Sequence, residues 1–194
     1  MTENNSFPRL VSLAAHDLRT PLATVSGFAK TLTRGGELED PAARYVAMIE
    51  AASDQMAELL DELGLAARIE DGRYTPSLRD VDSLDLARAA ATRLGEDRVR
   101  AGGTGATVRV DPDATERGVT ALAQCALRHG GLELVDVTAE GAVLSVSPIT
   151  PASAPVVLGE DIRDLGAAVA GRLIVALGGT VELDGDTLRI GLPE

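Results

Sequence analysis

The stretch Leu13-Ala14-Ala15-His16-Asp17-Leu18-Arg19-Thr20-Pro21-Leu22 decides how the rest of the chain is read. Around it, Leu10, Leu13, Ala14, Leu18, Leu22, Val25, Phe28, Ala29 and Leu32 recur at helical spacing, so the stretch lies on a long amphipathic helix. A residue and its i+4 partner share a helical face, which places Thr20 beside His16. Pro21 lacks a backbone donor and crowds the carbonyl four residues back, so a bend is expected just after the histidine, leaving it prominent. An imidazole near neutral pH is partly uncharged and nucleophilic. Asp17 is placed to orient the ring or to take its proton. A lone histidine beside a carboxylate is ordinarily a surface pair; the longer string is what gives weight to chemistry.

Arg34-Gly35-Gly36 ends this helix. Asp40-Pro41 begins another, with Asp40 as the cap and Pro41 at the first helical position. The second helix runs to about Asp71-Gly72, with Val46, Ile49, Met56, Leu59, Leu60, Leu63 and Ile69 as its apolar stripe. Two such helices joined by a short turn form a hairpin. A lone hairpin cannot bury both stripes, so a second copy is expected to complete a dimeric four-helix bundle. The alternative is that the stripe packs on the rest of this chain.

Thr75-Pro76 reads as a linker, and the pattern then changes to mixed strands and helices. Ser83 caps a helix running to Gly95. Ala101 to Gly105 is expected to be a loop and Thr107 to Val110 a short strand. Asp111-Pro112 starts a helix that runs to His129-Gly130-Gly131. A hairpin follows, Leu132 to Val137 and Ala142 to Val146, around Glu140-Gly141. Asp164 to Leu177 is a helix, and a last hairpin turns at Asp184-Gly185-Asp186.

Composition narrows the function classes. The chain has 194 residues, 45% of them hydrophobic, so it can build a core for one or two domains. Aromatics are 2%, so that core must be aliphatic. A net charge of -12 argues against nucleic acid and anionic membranes, both of which need a basic surface. One cysteine allows no internal disulfide. Met1 to Ser6 is polar and shows no leader pattern. The most apolar long segment, Leu165 to Leu177, is interrupted by Arg172 and too short to span a bilayer. A cytoplasmic protein is expected.

His16 through Leu22 resembles the phosphoacceptor box of bacterial two-component histidine kinases, in which His-Asp or His-Glu precedes Leu-Arg-Thr-Pro-Leu. The hairpin is similar to the dimerisation domain of that family. Leu60-Asp61-Glu62-Leu63 through Ile69-Glu70-Asp71-Gly72 looks like the end of its second helix. The resemblance implies that His16 carries a phosphoryl group, that Asp17 assists its transfer, and that Thr20 positions a water for dephosphorylation. It also implies that Arg19, Pro21 and Leu22 belong to the face on which a response-regulator receiver domain docks. Few residues precede the first helix, so no sensor domain or membrane anchor is expected here.

The elements after the linker resemble the family's ATP-binding domain. The implied organisation is a hairpin over residues 1–74 and a degenerate ATPase-type α/β sandwich over residues 77–194. Asp111-Pro112-Asp113 through Ala126-Leu127-Arg128-His129 looks like the helix that bears the Asn box. Gly166 through Thr180, with the hairpin ending at Leu192-Pro193, looks like the family's C-terminus.

The departures carry the functional reading. Cys125 stands where an asparagine would bind the magnesium of Mg-ATP, and Ala121 at the earlier asparagine. A neutral thiol is a poor ligand for hard magnesium, and Cys125 reads as a small buried apolar residue. The adenine-binding Asp-x-Gly-x-Gly is replaced by Ser147-Pro148-Ile149-Thr150-Pro151-Ala152, and the lid by Pro151 to Leu158. Asp164 stands at the first glycine of the last Gly-x-Gly, where it would repel phosphate; Gly166 remains.

An intact box beside a broken ATP site implies a histidine phosphotransfer protein that relays a phosphoryl group between response regulators. It needs no cofactor of its own, because the regulator brings magnesium. The alternative is a regulatory pseudokinase or phosphatase that dephosphorylates or sequesters a regulator. An active kinase with unrecognised ATP contacts is the remaining reading.

Overall fold

The computed structural model describes residues 6–35 and 40–193; Met1 to Asn5 and Gly36, on which parts of the reading above fall, lie outside them. The chain divides into two compact units, Met1–Arg73 and Tyr74–Glu194.

The first unit is a helical hairpin. Helix α1 spans Ser6–Gly35 and α2 spans Ala42–Glu70. α1 stays one helix through Pro21, as a single missing donor in a long helix permits when packing holds the rest. Pro41 is the N-cap residue of α2 and not its first helical residue. Its carbonyl accepts the first helical bond, from the Tyr45 amide, and no side chain caps the end. The expected Asp40 cap is therefore corrected.

The two helices approach through small side chains. Ala15, Ala29, Ser53, Gly64, Leu65 and Ala67 are buried, and a Cβ added to Gly64 would lie 3.9 Å from that of Ala15. Polar pairs cross the seam and fix its register: Arg19 with Asp61, Lys30 Nζ with Asp54 at 2.9 Å, and Thr33 with Glu50 at 3.2 Å. Such exposed pairs contribute at most about 1 kcal/mol each, so the apolar seam does most of the holding. At the far end of α2, the Asp71 carboxylate would oppose the negative helix C-terminus. Arg9 and Arg73 both pair with it and offset that repulsion.

The second unit is an α/β sandwich. A five-stranded sheet has the order β2(Val99–Gly105), β4(Val135–Gly141), β5(Val143–Ser147), β7(Thr187–Gly191), β6(Thr180–Asp184). β2 and β4 run parallel and the other neighbours antiparallel. Helices α3(Ser83–Leu94), α4(Pro112–Gly130) and α6(Leu165–Ala176) supply the second layer, with the single turn α5(Ala154–Val157). The core between the layers is aliphatic: Val99, Val135, Val137, Leu144, Val146, Leu188 and Ile190 from the sheet meet Leu86, Val119, Leu122 and Ile174 from the helices. A separate pair, β1(Arg79–Asp82) with β3(Thr107–Val110), adds Val108 and Val110 to this core.

Three expectations are corrected here. Ala101 to Gly105 is strand, not loop. Its glycines are needed by the pairing: Gly103 has φ +98°, and a Cβ there would collide with the Ala139 carbonyl of β4. β1 escaped notice because Arg-Asp-Val-Asp offers only one apolar residue to a pattern. The cap of α3 is Asp82, which accepts from the Leu84 amide at 2.8 Å. Ser83 instead donates to the Gly141 carbonyl and accepts from the Ala106 amide, tying α3 to the sheet.

The Asp111 cap of α4 is as expected, and α6 has a cap that was not expected, Asp164. Asp111 accepts from the Ala114 amide and Asp164 from the Ala167 amide, each at 3.1 Å. Gly131, in the left-handed region at φ 63°, closes α4.

Candidate functional site

On the hairpin, His16 and Asp17 are neighbours on α1, and both side chains are largely in water, 73% and 67% exposed. His16 Nδ1 and Asp17 Oδ1 lie 3.1 Å apart. A carboxylate only accepts, so this contact favours the tautomer with the proton on Nδ1. The other nitrogen, Nε2, then keeps its lone pair and has no hydrogen-bond partner among the described residues.

Thr20 is exposed one turn along, and its carbonyl accepts from the Thr24 hydroxyl at 3.2 Å. Pro21 is exposed and Leu22 half-buried. Arg19 is not free: its guanidinium is paired with Asp61 of α2. That contact ties the residue after Leu18 to the second helix and holds the local register of the box.

Most of the exposed large hydrophobics of α1 fall on its other side; Leu13, also exposed, lies only about 60° round the helix from His16. Phe7, Leu10, Leu18, Val25, Phe28 and Leu32 recur at three, four and seven residues, and α2 adds Tyr45, Met48, Ile49, Met56 and Leu59. At 100° per residue, this stripe and His16 lie on opposite sides of the helix.

In the second unit, the place of the expected ATP contacts holds a different set of groups. Cys125 and His129 stand one turn apart on α4. Asp164, the cap of α6, closes on them: His129 Nε2 lies 3.2 Å from Asp164 Oδ2, and Arg128 donates to the same oxygen at 3.2 Å. One ligand-type atom from each of Cys125, His129 and Asp164 lies within 4.8 Å of the others. Cys125 is fully buried, and burial, with the Asp164 charge adding to it, pushes its thiol up to about 12.

Mg-ATP, which the sequence resemblance implies, does not fit these residues. The α6 N-terminus, where backbone amides would meet phosphate, is already capped by the Asp164 carboxylate. The stretch in the position of the lid is packed down, with Ser153, Val156 and Val157 buried and Thr150 and Ser153 hydrogen-bonded to each other.

His129 was legible as a helix end but not as chemistry. Its i+4 relation to Cys125 was the available signal. Asp164 lies 35 residues further on and joins them only through the packing of α4 against α6.

Residues 9–72 match the family model of the His Kinase A (phospho-acceptor) domain. The sensor protein DivL of Caulobacter vibrioides is 29% identical over 103 residues, which are 53% of this chain and 13% of DivL. The sensor histidine kinase TrcS of Mycobacterium tuberculosis is 34% identical over 79 residues, 40% of this chain and 15% of TrcS. The chain thus spans a small part of the length of these curated relatives. Full-length ShkA in complex with AMPPNP shares the fold, with a TM-score of 0.72 at 22% identity over 96% of this chain and 46% of that one.

The hairpin is thus of the His Kinase A phospho-acceptor type. An α/β domain follows it in the chain, and ShkA shares this fold. No helix among the described residues is long and apolar enough to cross a membrane.

Proposed function

We propose that this chain is a cytoplasmic histidine phosphotransfer protein that relays a phosphoryl group between the aspartates of response-regulator receiver domains. The observation that carries this reading is the state of His16: exposed, held by Asp17 at one nitrogen and open at the other. Asp164 at the head of α6 supports it further, because it leaves a kinase without its phosphate contact.

The step is an in-line displacement. The Nε2 lone pair of His16 attacks the phosphorus of the regulator's phospho-aspartate. The N–P bond forms as the acyl P–O bond breaks, and the regulator's carboxylate leaves. The phosphorylated ring retains the proton on Nδ1, and the Asp17 carboxylate stabilises the resulting positive charge. The return reaction runs through the same contacts. Positioning and charge neutralisation supply most of the catalysis, and the magnesium belongs to the regulator. Pro21, Leu22 and the neighbouring turn form part of the docking face, with Arg19 fixed behind it by Asp61. A second copy covers the apolar stripe and completes a four-helix bundle, leaving both His16 side chains outward.

The test is incubation with a panel of radiolabelled phospho-regulators. Transfer of label to the protein, lost in His16→Gln, supports the relay. If a regulator loses phosphate faster while His16 stays unlabelled, the phosphatase reading replaces it. Micromolar Mg-ATP affinity by calorimetry would reopen the kinase reading.

A further inference from the structure

We infer that Cys125, His129 and Asp164 form a binding site for a zinc-class divalent ion, built where the fold would otherwise hold Mg-ATP. The three side chains come from two elements that the core fixes. Cys125 and His129 project one turn apart from α4, whose Val119, Leu122, Ala123 and Ala126 are buried. Asp164 is fixed at the head of α6 by its bond to the Ala167 amide through Oδ1. That bond leaves Oδ2 turned toward His129.

The distances suit a tetrahedral ion. Zinc takes nitrogen and oxygen ligands at about 2.0–2.1 Å, which puts two such ligand atoms roughly 3.3 Å apart. His129 Nε2 and Asp164 Oδ2 are 3.2 Å apart. The sulfur lies within 4.8 Å of its partners and takes a longer bond, of about 2.3 Å. Three protein ligands leave a fourth position for water, on the side where His129 is 19% exposed.

The donor set also selects the ion. Thiolate, imidazole and one carboxylate suit a borderline-soft cation and give magnesium or calcium too few oxygens. Arg128 is the competing cation, but its side chain is 59% exposed and can withdraw into water when the ion takes Asp164. Binding replaces the thiol proton: the S–H bond breaks, the metal–sulfur bond forms, and one proton is released to solvent. Cys125, His129 and Asp164 together are a ligand set.

The chain has one cysteine and two histidines, so the experiment is unambiguous. The full-length protein, stripped with a chelator, is titrated with zinc chloride by calorimetry and with cobalt(II) by absorption spectroscopy. The expected result is one strong site per chain, proton release that scales with buffer ionisation enthalpy, and a thiolate-to-cobalt charge-transfer band. His129→Gln, at a partly exposed position, should weaken zinc binding about 10–100-fold while its circular dichroism matches wild type. Cys125→Ser should abolish the band. His16→Gln should change neither, which separates this site from the phosphoacceptor. Absence of the band at saturating cobalt overturns the inference. So does zinc affinity that is equal in wild type and His129→Gln, because the ion then sits elsewhere.

Discussion

The molecule holds two histidine–aspartate pairs of nearly equal length, and their surroundings differ in every other respect. His16 and Asp17 are adjacent in sequence, 3.1 Å apart and largely in water. His129 and Asp164 are 3.2 Å apart, with the histidine side chain 19% exposed and the aspartate 9%. Asp17 pairs with His16, whereas Asp164 also caps a helix and pairs with Arg128. The first pair leaves a ring nitrogen open to a macromolecular partner. The second lies between two helices of its own domain, α4 and α6. Pair geometry alone therefore does not assign a role; access does.

The sharpest way to break the comparison is at His16. His16→Gln should reduce phosphoryl acceptance to background in a gel-shift or radiolabel assay. Its melting temperature should stay near wild type, because an exposed side chain away from special features changes stability by about 0.5 kcal/mol or less. Loss of the fold, or retained labelling, would move the chemistry elsewhere.

The stripe on the opposite side of α1 comes next. Leu18→Asp combined with Val25→Asp should convert a dimer to a monomer by light scattering at micromolar concentration. Each leucine- or valine-sized side chain buried between copies contributes about 2 kcal/mol, and both copies lose two. An unchanged mass would show that the stripe is not the interface.

Within the second unit, Gly103→Ala tests whether the close β2–β4 approach holds the Cys125 and Asp164 scaffold in shape. A Cβ at φ +98° meeting the Ala139 carbonyl should destabilise by about 3 kcal/mol in a urea melt. Labelling of His16 under native conditions should survive, since the hairpin is a separate compact unit.

Thr20→Ala should spare phosphoryl transfer and slow any dephosphorylation of the regulator, read as the decay of label in a time course. A loss of transfer would make Thr20 part of the nucleophile's machinery.

A last effect is one of pH. The Cys125 thiol is held up to about 12 in the fold against 9.0 when unfolded, chiefly by burial. The folded state thus keeps its proton where the unfolded state releases one. Its contribution is whole below pH 9 and is lost as pH rises from there toward 12. The stability of wild type relative to Cys125→Ala should therefore fall across that window in metal-free urea melts, and a flat difference would contradict the assignment.

Both histidines stood in the sequence, but only one could be read there. The box from His16 to Leu22 needs no tertiary context, because its parts lie within two turns of one helix and the 3.6-residue repeat already sets who faces whom. The same local rule gave the hairpin, the Asp111 cap and the two antiparallel strand pairs. It failed where partners are remote. β1 has almost no apolar pattern and exists because β3 pairs with it. The glycines of β2 are strand because β4 comes too close for side chains. Sequence by itself determined the phosphoacceptor box, the helical hairpin and the loss of the nucleotide motifs. Tertiary structure alone decided that Asp164 meets His129 and Cys125, because a contact across 35 residues is set by how α4 and α6 pack and not by any spacing along the chain.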